Sequence, residues 1–301
     1  MLQNLNPQSA AFVSTMDKIY RRLERAQREI STGLKMSTIS DEPDSVSSLL
    51  QARADLAFTE QIQANLSRVK AETDGAEHAL QSSVTLMERA RTLGAQGATD
   101  TASKDSRKSL ADQVGAIMEE LVGLSNTTIE GRYVFSGDAD QRAPYSIDLA
   151  NTPPISDYGG SSANRLVQHP NGSRFGVSRT AQDIFDAPEP ENNVFHSLDK
   201  LRTALLTDDT DVAKTALGQV GTALTHLNGQ LSYYGHVQNK VAGATTFGTN
   251  QKLKLQTHLS SLQDADLAES IMELNQAQLQ ETAALQAQAK SPKTTLFDYL
   301  G

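Results

Sequence analysis

Apolar residues recur at alternating intervals of four and three over most of this sequence, and this rhythm restricts the fold more than any other feature. Such spacing places an apolar stripe along one side of an α-helix, and a narrow stripe of this kind packs against other helices. The stripe of the first predicted helix consists of Phe12, Met16, Ile19, Leu23, Ala26 and Ile30. This helix is therefore predicted to need helical partners.

The same rhythm predicts a second helix that is much longer than an ordinary globular helix. It starts near Asp44 and ends at Gly94 and Gly97, a length of roughly 75 Å at about 1.5 Å per residue. Its stripe consists of Ile62, Leu66, Val69, Thr73, Ala76, Leu80, Ser83 and Met87. A polar loop, "GATDTASKDS", then precedes a third predicted helix that ends near Asn126. The first 130 residues are therefore expected to be almost entirely helical.

Helical spacing returns after residue 196 and continues to the C-terminal region. The repeating residues are Leu198, Leu201, Leu205, Leu217, Val220, Leu224, Leu227, Leu231, Leu255, Leu259, Leu262, Leu267, Ile271 and Leu274. Because helices flank the middle of the chain on both sides, the chain is expected to run out and back. The N-terminal and C-terminal helices should then lie side by side.

Residues 132–196 have a different character, with six of the nine prolines and seven of the fifteen aromatic residues. Tyr145, Ile147 and Leu149 alternate as in a strand, as do Phe175 and Val177, and Asn171-Gly172 between apolar runs is a strong hairpin signal. Gly131, just before this region, is expected at a helix C-terminus.

These patterns predict a mainly α fold. It is an elongated rod of long antiparallel coiled-coil-like helices from both chain ends, with a small β-rich module inserted in the middle. Three domains are predicted: residues 1–40 with 260–301 as a terminal helical assembly domain, 41–131 with 197–259 as a helical rod domain, and 132–196 as the β-rich outer module.

The segment "ISTGLKMSTISDEPDS" at residues 30–45 interrupts the helical pattern with a capped, acidic corner. Gly33 can supply the left-handed residue that ends the first helix, and Asp41 can cap the next one. Pro43 and two further acidic residues suit the first turn of that second helix. The corner is therefore predicted to be a turn between two helices.

Charge is divided between the two ends of the chain. Residues 1–35 carry a net charge of +3 and residues 263–289 a net charge of −5, which favours pairing of the terminal helices. Two solvated faces without a mutual contact remain an alternative, and a membrane-lying helix is less favoured because the stripe is narrow and lacks tryptophan. The net charge of −9 disfavours binding to nucleic acid, and protein partners are expected instead.

Several site classes are not favoured by the sequence. It has no cysteine, its six histidines show no metal-binding spacing, and no phosphate-binding glycine loop occurs. Asp138 and Asp140 resemble the start of a calcium loop but lack its later ligands. No apolar run long enough for membrane insertion or a cleaved signal peptide is found. The chain is expected to have no enzymatic activity, cofactor or metal.

Several segments resemble the bacterial flagellin family. They are the N-terminal "NLNPQSAAF" and "LERAQREISTGLKMSTISDEPDSVSSL", the central "GRYVFSG" and "NRLVQHPNGSRFGVSRTAQDIF", and the C-terminal "DADLAESIMELNQAQLQETAALQAQAKS" and "LFDYL". Within the family they are most similar to the hook-associated proteins of type 3, which join the flagellar hook to the filament. The residues that carry this family signature are Gly33, Ser40, Asp41, Pro43, Gly131, Arg132, Phe135, Gly137, Leu296, Phe297 and Leu300.

The resemblance implies a structural subunit of the flagellum that polymerises through its terminal helices and is exported, without a cleaved signal peptide, to an extracellular position. The expected partners are further copies in a ring, a neighbouring hook-associated protein, flagellin, and an export chaperone on the C-terminal helix. The expected assembly seam consists of Phe12, Met16, Ile19, Leu23, Ile30, Leu267, Ile271, Leu274 and Leu285. A filament flagellin and an intracellular coiled-coil scaffold are the alternatives.

Overall fold

The computed structural model describes residues 7–35 and 43–290, and these residues are mainly helical. The helices are α1 (Pro7–Thr32), α2 (Pro43–Gly97), α3 (Lys104–Ser125), α4 (Ala181–Phe185), α5 (Val194–Thr207), α6 (Thr210–Gln263) and α7 (Leu267–Lys290). The strands are β1 (Thr128–Ile129), β2 (Arg132–Tyr133), β3 (Leu166–Gln168) and β4 (Arg174–Gly176). The predicted mainly α class is confirmed, and so is the very long second helix.

The chain divides into two compact units, and each is described by itself. The terminal unit comprises the described parts of residues 1–58 and 251–301, and the central unit comprises residues 59–250. The three-domain division drawn from the sequence stays a prediction.

The core of the central unit is made by the apolar stripes of α2, α3, α5 and α6. Leu66, Leu80 and Met87 of the predicted α2 stripe are fully buried. The buried residues that meet α2 from the other three helices include Val114, Met118, Leu121, Leu198, Leu201, Val220 and Leu227. Burying a side chain of this size stabilises the folded state by about 1.5–3 kcal/mol. The residues at the four-three spacing therefore make the main stabilising contacts of this unit.

Helix ends in the central unit follow from local hydrogen bonding. Ser103 caps α3 by accepting from the backbone N–H of Ser106, and Asn193 caps α5 by accepting from His196. Asp208 adopts a left-handed conformation with φ of 62° and separates α5 from α6. The helical rhythm alone does not show this last break.

The β3–β4 hairpin agrees with the sequence. Leu166 pairs with Gly176 and Gln168 with Arg174, and Gly172 in the connecting turn has φ of 90°. Because a positive φ favours glycine, the Asn171-Gly172 signal was informative here.

The expected strand at Tyr145–Leu149 is wrong. Ile147 forms only an isolated bridge with Ile155, and no strand extends from it. Pro144, Pro153 and Pro154 flank the two bridging residues, and proline has no N–H to extend a ladder. Within residues 132–196 the chain also forms α4 and the start of α5, so only short hairpins are truly β.

The expected position of Gly131 at a helix C-terminus is also wrong. Helix α3 ends at Ser125, and Gly131 lies in the turn between β1 and β2, where Glu130 and Gly131 have φ of 52° and 76°. Two positive φ values in a two-residue connection are typical of a hairpin turn. This hairpin was not recognised because strands of two residues are too short to show an alternating pattern.

Candidate assembly surface

Helices α1 and α7 form an antiparallel pair in the terminal unit. Ser270 Oγ donates to Glu29 Oε2 over 2.8 Å near one end, and Arg22 Nη1 donates to Gln280 Oε1 over 3.4 Å further along. The expectation that the terminal helices lie side by side is therefore confirmed. Between them lies a small apolar cluster of Met16, Ile19, Leu23 and Ala277, with Phe12, Leu274 and Ala284 packed at its edge.

The nine residues of the expected assembly seam occupy different positions on this pair. Met16, Ile19 and Leu23 are buried against α7, and Phe12, Ile30 and Leu274 are half-buried. Leu267, Ile271 and Leu285 are about half exposed. The first group accounts for pairing within one chain, whereas the last group has apolar surface left for another molecule. Their role in assembly stays a prediction.

The terminal pair has further exposed apolar residues that the four-three rhythm did not identify. Val13 and Tyr20 of α1 are 60% and 47% exposed, and Met272 and Leu279 of α7 are 64% and 71% exposed. The two residues on each helix are seven positions apart, so they form a short stripe outside the face on which α1 and α7 contact each other. That i, i+7 spacing was the signal that could have found them. Apolar stripes on more than one side of α7 need more than one partner.

Charge contributes to the fit between α1 and α7. Arg22 Nε lies 3.6 Å from Glu273 Oε1, and a cleft beside this ion pair is lined by basic residues of α1 and acidic residues of α7. Both side chains of the pair are about half exposed, so the pair contributes only about 0.2–1 kcal/mol. The pairing of oppositely charged helices agrees with the divided charge of the sequence, and an effect on register and partner choice stays a prediction.

The end of α1 is joined to the turn between α6 and α7. Gly33, with φ of 70°, ends α1 and donates its N–H to Glu29. The N–H of Lys35 donates to the carbonyl of Gln263 over 2.8 Å, and the N–H of Ala265 donates to the carbonyl of Gly33 over 2.9 Å. The backbone bonds fix where α7 begins relative to where α1 ends.

The terminal unit also contains the first part of α2 and the last part of α6. Leu49 and Ala52 of α2 pack on Leu259 of α6 in a second small apolar cluster. Leu50 and Leu253 are 57% and 63% exposed. The apolar clusters of this unit are therefore small, and many of its apolar side chains are exposed. Exposed apolar surface of this kind is typical of a region that binds other subunits.

The family-signature residues within the described chain are structural. Phe135 is fully buried, with ring centroids 6.1 Å from Phe185 and 6.2 Å from Tyr234. Gly137 has φ of 61°, and a Cβ there would collide with the backbone oxygen of Ser161.

Other signature residues lie at element ends. Pro43 is the first residue of α2, in agreement with the predicted early proline, and Arg132 pairs with Asp140. The hydrogen bond from Arg132 holds the pKa of the Asp140 carboxyl below its usual value. Asp140 is thus part of an ion pair. The signature residues that lie outside the described chain are Ser40, Asp41, Leu296, Phe297 and Leu300.

Residues 7–35 and 43–290 contain no group of three or more His, Cys, Asp or Glu side chains placed so that they could hold a metal ion. Over the same ranges no helix is both long enough and apolar enough to cross a bilayer.

The fold and this surface define a mainly helical protein whose terminal helices leave apolar side chains uncovered. Residues 4–140 match the bacterial flagellin N-terminal helical region, and residues 217–300 match the bacterial flagellin C-terminal helical region. The chain belongs to the bacterial flagellin family and is a structural component of the flagellum.

Three comparisons describe its place in that family. The chain is 26% identical to flagellar hook-associated protein 3 of Escherichia coli, with 87% of each chain covered. It is 22% identical to a flagellin of Halalkalibacterium halodurans, with 92% of this chain and 91% of the flagellin covered. The crystal structure of the flagellar junction protein of Legionella pneumophila is similar in fold, with a TM-score of 0.55 and 16% identity over 65% of this chain and 99% of that one.

Proposed function

We propose that this protein is the junction subunit that connects the flagellar hook to the filament and that it polymerises through α1 and α7. The observation that carries the proposal is the terminal pair itself. Its two helices cover each other on one side only and leave Val13, Tyr20, Ile271, Met272 and Leu279 exposed. A surface of this kind is stable when neighbouring subunits cover it.

The comparison with hook-associated protein 3 supports the junction role over the alternative, a filament flagellin. The chain is more similar to that protein than to the flagellin of H. halodurans. The two functions differ in the extent of polymerisation, because a flagellin forms long filaments whereas a junction subunit stops at a ring between two different partners.

Electron microscopy of cells that lack this protein tests the proposal. The junction role predicts hooks without filaments and flagellin released into the medium. If the protein is instead the filament flagellin, its deletion removes the filament subunit itself, so no flagellin is released into the medium. Complementation with the full chain should restore filaments, which controls for effects on other flagellar genes. Filaments of normal length in the deleted strain would contradict the junction role.

Two truncations test whether assembly depends on both terminal helices. Removal of residues 1–35 or of residues 263–301 should leave the central unit folded and abolish incorporation into flagella, because each deletion removes the partner surface of the other helix. Circular dichroism provides the folding control. A truncated protein that still enters the junction would contradict the assigned role of α1 and α7.

The proposed partners follow from this position. The subunit contacts further copies in a ring, a hook-associated protein on one side and flagellin on the other, with no binding to nucleic acid and no insertion into a membrane. Before assembly, an export chaperone covers α7, whose exposed Met272 and Leu279 would otherwise be free to aggregate. Co-purification of a small cytoplasmic protein with the full chain, but not with the chain truncated at residue 263, tests the chaperone.

Export takes place without cleavage of the N-terminus, and the final location is extracellular. Intact-mass measurement of the protein recovered from sheared flagella tests this point. The measured mass should equal that of the cytoplasmic form. A shorter N-terminus on the flagellar form would contradict export of the uncleaved chain. No catalytic role is proposed.

A further inference from the structure

A groove in the central unit lies between α2 and the β3–β4 hairpin and has a volume of about 410 Å³. This size is within the range of about 300–1,000 Å³ that is usual for ligand-binding pockets. We call it the basic groove, and the residues that define it are Arg68, Glu72, Arg132, Arg165, Leu166 and Arg174.

Side chains from both faces of the hairpin line the groove, among them Val167 from one face and Leu166 from the other. Val167 and Phe175 pack towards the core that α2 and α6 share, so the neighbouring residues of each strand lie on the other face. Leu166 on that face is 64% exposed, and Arg174 is exposed as well. The outer face of the hairpin therefore presents an apolar side chain and a cation next to each other.

Two of the four arginines are neutralised within the chain. Arg165 Nη1 lies 2.9 Å from Glu72 Oε2, and Arg132 pairs with Asp140. Arg68 and Arg174 form no ion pair with any residue that the structure describes. The groove therefore has two uncompensated positive charges, in a chain whose net charge is −9. It fits an acidic partner.

An acidic segment that meets this description is present on the same chain. Residues 188–191, "PEPE", lie between α4 and α5 and are exposed along their whole length. Glu189 and Glu191 form no ion pair within the described chain, so neither reaches Arg68 or Arg174 of its own copy. Two free carboxylates on one patch match two free guanidinium groups on another.

We propose that the "PEPE" loop of one copy of this protein binds in the basic groove of a second copy. Contact between two different patches is heterologous, and heterologous contacts of identical subunits generate rings when the rotation closes. The inference rests on the proposed function, in which copies stand side by side around a ring. Charge-assisted bonds between Arg and Glu would fix the register of neighbouring copies, and Leu166 would be covered in the same contact.

Disulfide trapping between two different variants tests this contact, and the absence of cysteine from the natural chain removes any background. One full-length variant has Gln168→Cys, which lies opposite Arg174 on the hairpin. The other has Pro190→Cys, between the two glutamates. All four charged groups of the proposed contact are retained. After mixing and mild oxidation, the mixed dimer is expected in several-fold excess over the dimer formed with a matched control, Ala116→Cys on the exposed face of α3.

Charge reversal provides the second arm. Arg68→Glu with Arg174→Glu, added to the Gln168→Cys protein, should reduce trapping to the level of the Ala116→Cys control. Glu189→Arg with Glu191→Arg, added to the Pro190→Cys protein, should restore it. All four positions are exposed, and circular dichroism of each variant checks that the fold is retained.

Equal trapping of Pro190→Cys and Ala116→Cys would overturn the proposed contact, and so would a failure of the reversed charges to restore trapping. Both results are obtained on purified protein and do not depend on hooks or filaments. Failure of the junction role is seen separately, as normal filaments in cells without the protein.

Discussion

The buried side chain of Arg107 in α3 forms an ion pair with the exposed Asp208, the left-handed residue between α5 and α6. The same guanidinium group donates from Nε to the carbonyl of Gly97 and from Nη2 to the carbonyl of Thr99, each over 2.9 Å. One side chain, only 8% exposed, thus ties together the end of α2, the start of α3 and the α5–α6 connection.

Replacement of Arg107 by lysine should destabilise the central unit. A single ammonium group cannot reproduce three bonds in different directions, so a buried carbonyl loses its donor, at a cost of about 1–3 kcal/mol. Urea unfolding followed by circular dichroism measures the loss. Arg91→Lys, at an exposed position of α2, is the matched control and should change stability by less than about 0.5 kcal/mol. Equal stability of the two variants would show that the three-way contact contributes nothing.

Replacement of Gly229 in α6 by alanine should raise the stability of the protein. A Cβ at Gly229 would meet no atom within 4 Å, so Gly229→Ala adds no clash and removes backbone freedom from the unfolded chain. The expected gain is about 0.5–1 kcal/mol. Gly94→Ala is the control, because its Cβ would lie 2.9 Å from Leu201 Cδ2 and should destabilise. Thermal unfolding of both variants measures the change in stability, which should be positive for Gly229→Ala and negative for Gly94→Ala. A decrease in stability for Gly229→Ala would contradict the absence of neighbouring atoms at that position.

Burial raises the pKa of the Asp199 carboxyl above its ordinary value of 3.8, although Arg202 and His196 oppose the shift. The folded protein then holds this proton more tightly than the unfolded chain, so stability falls as pH rises through the raised pKa. Asp199→Asn should therefore stabilise the protein at pH 7, and only slightly, because the carboxyl is only half-buried. The difference should vanish below about pH 3.8. Asp112→Asn, on the exposed face of α3, is the control. A pH-independent gain would rule out this ionisation as its cause.

The long helices could be predicted from the sequence because burial and helical periodicity coincide. Leu66, Leu80 and Met87 repeat at helical intervals and are all fully buried, so a one-dimensional pattern was sufficient. Hairpin β3–β4 was recognisable for a similar reason, since Asn171-Gly172 specifies its own turn. In both cases the determining contacts repeat along the chain or lie within a few residues.

Arg107 shows what such patterns miss. Its partner Asp208 is 101 residues away, and neither residue belongs to a motif. The expected assembly seam shows the same limit: it included both Met16 of α1 and Ile271 of α7, whereas only Met16 is buried in the pair. Which apolar residues a helix covers with its own chain, and which it leaves for a partner, depends on the neighbouring helix.

The last prediction is that α1 and α7 are disordered in the free subunit and fold on assembly. Ordering a residue costs about 1–2 kcal/mol of backbone entropy, and in the free subunit the interface between α1 and α7 fully buries few large side chains. Met16, Ile19 and Leu23 are buried on α1, but α7 contributes only Ala277 and Ser270, with Leu274 half covered. Amide hydrogen exchange on dilute monomer should therefore be fast at residues 7–30 and 265–289 and slow at residues 60–90 and 110–125, where the central core provides an internal control. Incorporation into flagella should slow exchange of the terminal segments, because neighbouring subunits then cover Tyr20, Met272 and Leu279. Strong protection of both segments in a verified monomer would show that the pair is stable by itself.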